Sequence, residues 1–437
     1  MNLILRLKKM LTGVDGSPRY GAGLLCIFWV IYLVLTVTAP FYYSDSINCT
    51  ITDTKSSLPG DQGFYDKVGD TIAKGKGYTI NGKPICTYQM GYPLFVGFLY
   101  KILGHNFKIV IILQLIMIWI GFIIFSRLSL KLNKKLFFVP LLFFMGNYLI
   151  LFYTCMLLTE CLALILVIIS FFLLYQIIQS PRVWMIILLG LLVGYLALVR
   201  PQFEAFPFLM LIVAALSLFK RKFKLFKHII IFFLASIIVF GPVLLRNHKE
   251  FGFYRLSLSG GIAFLIGTNP AHDGEYTEFP VIVKDLNLKD YEKMDLGDTS
   301  ADKVKQIDDY LFNKGLENFK KKPLTVLSIM CKNVTRLIFG FPHKTREQSL
   351  PRTLLMVLNI LAFISMLIGL YLFISKRLDC DSKTRTFLIF CYSFIFCYIA
   401  LSCFFWSDLR YGIYPVIMIY LVSPVAFHIR KTTNKHN

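Results

Sequence analysis

The chain has 437 residues, of which 56% are hydrophobic and 16% charged, with a formal net charge of +22. Average soluble domains are about 45–50% apolar and about 25% charged, so a water-soluble globule is excluded, and so is a disordered chain. On a soluble protein the positive charge would suggest nucleic acid; on a membrane protein, cytoplasmic loops collect Lys and Arg.

An apolar run of about 20 residues crosses a bilayer as helix. The first runs from about 21 to 40 behind a basic start (Arg6, Lys8, Lys9). It is long for a signal-peptide core and lacks a small-x-small cleavage site, so it is read as a retained span. Further runs begin near 107, 136, 160, 183, 205, 228, 352, 386 and 411. The expected architecture is an all-α polytopic membrane protein of about ten transmembrane helices. Segment 92–104 is short and holds Lys101, so it is expected to lie along the interface rather than to span.

Charge orients this arrangement. With 92–104 not spanning, the inward ends are 1–20, 127–135, 179–182, 220–227, 376–385 and 429–437. They hold 21 Lys and Arg against three acids (Asp15, Asp379, Asp381), the positive-inside pattern. The expected order is a cytoplasmic segment 1–20, span 1 at 21–42 and a first extracytoplasmic loop at 43–106. Spans 2–7 follow at 107–246, a second extracytoplasmic segment at 247–351, spans 8–10 at 352–428 and a cytoplasmic tail at 429–437. Both termini are then cytoplasmic, in a plasma (inner) membrane. In the second segment, Val304, Ile307, Tyr310, Leu311 and Leu316 recur at helical spacing within 302–322. A surface helix is expected at 323–341.

Polar residues gather at one face. Between 136 and 181 the only charge is Glu160, and an acid at mid-membrane costs about 3 kcal/mol, so its natural place is an outer turn. Arg200 and Glu204, beside Pro201 and Pro207, fall at a second outer turn by the same logic. Asp61, Glu160, Arg200 and Arg246 can then share the outer rim, where charges are functional candidates. The first outer loop is the densest polar stretch, with Asp45, Asp53, Asp61, Asp66 and Asp70 followed by Gly75, Gly77, Tyr78 and 89–93.

At these residues the chain resembles the polyprenyl-phosphate-sugar-dependent glycosyltransferases of the GT-C fold. These include protein O-mannosyltransferases and lipid A aminoarabinose transferases. Asp61-Gln62-Gly63-Phe64-Tyr65, then Gly75, Gly77-Tyr78 and Gly91-Tyr92-Pro93, is similar to the family's first-loop pattern. Leu158-Thr159-Glu160 resembles its Thr-Glu helix head, and Leu198-Val199-Arg200-Pro201 its Thr-Arg-Pro. Leu245-Arg246-Asn247, Phe251-Gly252, Gly260-Gly261 and Gly267-Thr268-Asn269-Pro270 resemble its next run, and Arg410-Tyr411 with Pro415 its terminal one. Met90 stands where the family has Pro, and Lys83 is a loose counterpart of the lysine that follows the first-loop acid.

The resemblance implies an inverting transfer of a sugar from a polyprenyl (undecaprenyl or dolichyl) phosphate to a hydroxyl at the outer face. Glycan, lipid or protein would supply that hydroxyl; nothing in the sequence calls for a cofactor or a metal. A carboxylate must take the hydroxyl proton, and cations must stabilise the leaving phosphate. By motif position Asp61 is the expected base, with Asp66 and Asp45 as alternatives. Arg200, Arg246, Arg410 and Lys83 are the candidates for the phosphate, and Tyr65, Tyr92, Glu160 and Asn269 for the pocket. Two readings compete: a lipid-linked sugar flippase or transporter, and an envelope polysaccharide polymerase. A transporter would carry charges within several spans, and these spans are nearly free of them. No Gly-x-Gly-x-x-Gly follows a strand to hold a nucleotide, and Asp379-Cys380-Asp381 sits in a short inner loop too small for one. Cys49 and Cys86 bracket Asp61 and could bridge. Asn48 and Asn333 head outward-facing glycosylation sequons.

Overall fold

A computed structural model describes residues 20–43, 58–275, 281, 301–341, 349–378, 380–406 and 408–427. The architecture is helical. Helix α1 (Tyr20–Tyr42) is followed by α2 (Gly60–Ala73), a hairpin of β1 (Thr79–Ile80) and β2 (Lys83–Pro84), and α3 (Gly91–Leu103). The hairpin turn is Asn81-Gly82, with φ of 50° and 76°. Asn-Gly suits this left-handed two-residue turn, because Gly has no Cβ to clash and Asn tolerates positive φ. The strands pair Thr79 with Pro84 and Ile80 with Lys83.

A membrane-embedded body follows: α4 (Phe107–Leu132), α5 (Phe138–Gly146), α6 (Tyr148–Thr154), α7 (Thr159–Gln179) and α8 (Val183–Val199). After a 3-10 turn at Pro201–Phe203 come α9 (Ala205–Phe219) and α10 (Phe223–Phe251). The second long segment contributes α11 (Gly260–Thr268), α12 (Ala301–Lys321) and α13 (Pro323–Phe339). Three helices close the described chain: α14 (Leu350–Ile374), α15 (Ser382–Ser402) and α16 (Leu409–Val422).

Eight helical stretches are long and apolar enough to cross a membrane, and the protein is a multi-pass integral membrane protein. The two remaining expected spans take other forms. The run at 136 is broken into α5 and α6 at Asn147, whose amide donates sideways to the Tyr420 hydroxyl (3.3 Å). The run at 183 is α8, 17 residues long, or about 25 Å. The amphipathic segments expected at 92–104, 302–322 and 323–341 are helices α3, α12 and α13.

Burial ranks the spans. In α16, 89% of the apolar window is buried and in α7, 61%, against 22–44% for the other six spans. Helices α7 and α16 therefore form the centre, and the others present apolar faces outward. Helix α3 lies against α2, where Gly69 and Gly97 face each other; a Cβ on Gly97 would sit 2.9 Å from the Gly69 carbonyl oxygen.

Candidate active site

Four charged residues from separate parts of the chain meet where α2, α7, α8 and α16 begin or end. Asp61 lies in the first turn of α2, where the helix dipole favours an acid. Glu160 lies in the first turn of α7 for the same reason. Arg200 terminates α8 before Pro201, and Arg410 lies in the first turn of α16. Arg410 Nη1 donates to Asp61 Oδ2 (3.1 Å), while its Nε bonds Glu160 Oε1. Arg200 pairs with the same Glu160 oxygen through Nη2. Glu160 is 2% exposed and Arg200 6%, whereas the Asp61 side chain is 36% exposed. The two most central helices thus each deliver one member of the cluster.

Aromatic rings enclose it. The Arg200 guanidinium lies over Tyr411 (5.2 Å) and Tyr414 (5.8 Å), and Arg410 lies over Tyr411 (6.0 Å). Such stacking stabilises partly desolvated cations. Tyr65 and Tyr92 are buried edge-to-face at 4.9 Å. Burial, and next the Asp61 charge, push the Tyr65 hydroxyl well above the ordinary phenol range. Tyr65 therefore stays protonated. The Tyr88 hydroxyl stands 3.5 Å from Asp61 Oδ1.

Two glutamines to which the sequence reading assigns no role, Gln62 inside the first-loop motif and Gln114 outside any motif, hold the site together. Gln62, next to Asp61, accepts the Leu157 N–H (3.0 Å) and fixes α2 to the turn before Glu160. Gln114, fully buried, accepts the Tyr92 hydroxyl (2.6 Å) and donates to the carbonyls of Thr154 (3.0 Å) and Met156 (2.7 Å). A lone amide inside the apolar run of α4 was the available signal. Nearby, Gln89 donates to Glu204 (3.0 Å) and Ser257 (2.8 Å), joining the first loop to α9 and the second segment.

Other expected residues lie elsewhere. Arg246 clamps the hairpin: Nη1 donates to the Ile85 carbonyl (2.7 Å) and Nη2 to that of Tyr78 (3.0 Å). Lys83 is exposed on β2. Asn269 caps a turn after α11 by accepting the Ala271 N–H (3.0 Å). Asp66 accepts from the Tyr100 hydroxyl (2.5 Å) and faces His105 (2.9 Å). Asp45, Cys49, Asn48 and Asp379 lie outside the described residues. Cys86 is a free thiol buried with Phe251, Phe253 and Leu258. Asp381 serves as the N-cap of α15, accepting the Thr384 N–H (2.8 Å). Asn333 has 0% exposure, so its sequon is closed in the folded chain. No cluster of three or more His, Cys, Asp and Glu suited to a metal exists among the described residues.

Comparison with known proteins bears on the fold. No family model matches the chain, and no curated protein matches it. Among solved structures, the archaeal oligosaccharyltransferase AglB from Archaeoglobus fulgidus, in complex with an inhibitory peptide and a dolichol-phosphate, aligns with a TM-score of 0.53 at 13% identity. The alignment covers 94% of this chain and 50% of that one, so the chain spans about half the length of AglB. ArnT from Cupriavidus metallidurans, bound to undecaprenyl phosphate, aligns with a TM-score of 0.40 at 12% identity, covering 93% and 78%. With its central helices and its likeness to AglB along nearly the whole chain, the protein has the all-α, multi-pass fold of the GT-C class.

Proposed function

We propose that the protein is a membrane glycosyltransferase that moves a sugar from a polyprenyl phosphate to a hydroxyl acceptor at the extracytoplasmic face. The observation that carries this reading is the meeting of Asp61, Glu160, Arg200 and Arg410, 349 positions apart at its widest, in one partly open cluster. The dolichol-phosphate bound to AglB supports a lipid phosphate as the anion.

The chemistry fits the residues. The acceptor oxygen attacks the anomeric carbon, and the carbon–oxygen bond to phosphate breaks with its electrons leaving on the phosphate. Asp61, the more exposed of the cluster's two acids, takes the hydroxyl proton. The phosphate passes from a diester with one negative charge to a monoester with two. Arg410 and Arg200 supply the positive charge that this growth requires. Glu160 orients both guanidiniums. One displacement inverts the anomeric centre. Tyr65 and Tyr92, both buried, pack edge-to-face at the edge of the cluster, and the acceptor is a hydroxyl of a glycan, lipid or protein. The positive-inside charge pattern supports cytoplasmic termini in a plasma membrane.

A transfer assay in proteoliposomes tests the reading. Wild type moves sugar from a polyprenyl-phosphate sugar, and Asp61→Asn is slower by about 10²–10⁴. Full activity in Asp61→Asn removes the base assignment, and direct use of a nucleotide sugar removes the donor class.

A further inference from the structure

We propose that in the resting protein Asp61 occupies the place on Arg410 that a lipid-borne phosphate takes, so that arrival of the donor itself frees the base. The inference rests on the glycosyl-transfer reading and deepens it by assigning donor-coupled activation to that site.

The argument begins with charge. Asp61, Glu160, Arg200 and Arg410 sum to zero formal charge, with both arginines protonated at any working pH. A phosphodiester entering this set intact would leave a negative charge uncompensated beside buried groups, which desolvation penalises heavily. One carboxylate must therefore give way. Glu160 is 2% exposed and is held by both guanidiniums. Asp61 has a side chain 36% exposed and is held by Arg410 alone among the arginines, with the Tyr88 hydroxyl 3.5 Å from its other oxygen. Only Asp61 has solvent to turn into.

The site also holds a donor in reserve. Arg200 Nε is buried and meets no hydrogen-bond acceptor among the described residues. An incoming phosphate oxygen offers what that group lacks, since an unmade buried hydrogen bond is costly. The exchange has a kinetic consequence. While Asp61 Oδ2 accepts from Arg410 Nη1 (3.1 Å), one of its lone pairs is engaged and the carboxylate is tethered to the guanidinium rather than free to reorient toward the attacking hydroxyl. Once phosphate sits on Arg410, the oxygen is open. An acceptor arriving without donor meets a base still paired with Arg410, so the catalytic arrangement is completed only when the donor is bound.

Affinity for undecaprenyl phosphate, titrated by native mass spectrometry on the full chain in phosphatidylcholine–phosphatidylglycerol nanodiscs, tests the exchange. Removing the resident competitor in Asp61→Asn is expected to tighten binding about tenfold or more. Asp61→Ala is expected to do the same without an amide in place of the carboxylate. Asp70→Asn removes an equal charge from the same helix and is expected to leave binding unchanged. Unaltered or weaker binding in both Asp61 variants, or equal tightening in Asp70→Asn, overturns the exchange and leaves the donor class standing. No binding of undecaprenyl phosphate to any of these proteins overturns both. Inorganic phosphate is titrated alongside; tightening for it alone, without tightening for undecaprenyl phosphate, overturns the lipid source.

Discussion

Arg410 Nη1 donates to Asp61 Oδ2 over 3.1 Å, joining the last described span to the first turn of α2. The same guanidinium reaches Glu160 through Nε. One planar group thus holds two carboxylates at different edges, which a single ammonium cannot reproduce.

Arg410→Lys therefore separates charge from shape. It keeps the positive charge and loses the fork, and kcat for sugar transfer is expected to fall by about 10²–10³, the range seen when one transition-state donor is removed. Arg410→Ala is expected to fall further. Equal rates for Arg410→Lys and wild type would place the leaving phosphate elsewhere.

Glu160 makes a different prediction, about stability. It is buried and compensates both Arg200 and Arg410. Glu160→Gln leaves two largely buried cations facing each other, and breaking a buried pair from one side costs about 3–5 kcal/mol. Thermal unfolding in detergent should show a large loss. Asp61→Asn, at a partly exposed position, should lose far less, and a reversed order would contradict the burial assigned to each.

Thiol labelling reads both burial and sidedness. Burial pushes the Cys86 thiol up to about 12, with the Arg246 charge opposing. Below that pH the group stays protonated, and only the thiolate reacts quickly. Cys331 is exposed on α13. In single-cysteine variants, a membrane-impermeant maleimide at pH 7.5 should label Cys331 in intact cells and leave Cys86 unmodified. Cys380, between α14 and α15, should react only after permeabilisation. Labelling of Cys380 in intact cells without Cys331 would reverse the proposed orientation.

The fold class and two cluster members are legible from local signals. Glu160 and Arg200 stand out because charge is scarce in their surroundings, whereas Asp61 is one of five aspartates in a polar loop and only its place in a motif singles it out. Arg410 was named from its place in a motif, and nothing local showed that it would bridge the other two acids. The role of Arg246 was hidden, because Arg-Asn at the end of a span looks the same whether it meets a ligand or the hairpin carbonyls of Tyr78 and Ile85. The break at Asn147 was equally hidden: an apolar run continues through it, and only the partner across the core, Tyr420, gives the amide a reason to interrupt the helix. Long-range partners decide such cases, and composition carries no trace of them.

Asn333 offers the last test, because sequon and structure make opposite demands on it. Its amide donates to the carbonyls of Gly267 (3.0 Å), Cys403 (3.1 Å) and Phe405 (3.3 Å). It therefore pins α13 to the turn that leads into Arg410. Asn333→Asp is nearly isosteric and sets a carboxylate oxygen against those three carbonyls. Loss of the buried donor is expected to cost about 1–3 kcal/mol, read as a lower unfolding temperature, with transfer activity falling as the corner before α16 loosens. A glycosylating host should leave Asn333 unmodified in the folded protein, checked by mass spectrometry of the peptide that contains it. Full occupancy with a glycan, or an Asp variant as stable as wild type, would show that this corner is held by other contacts.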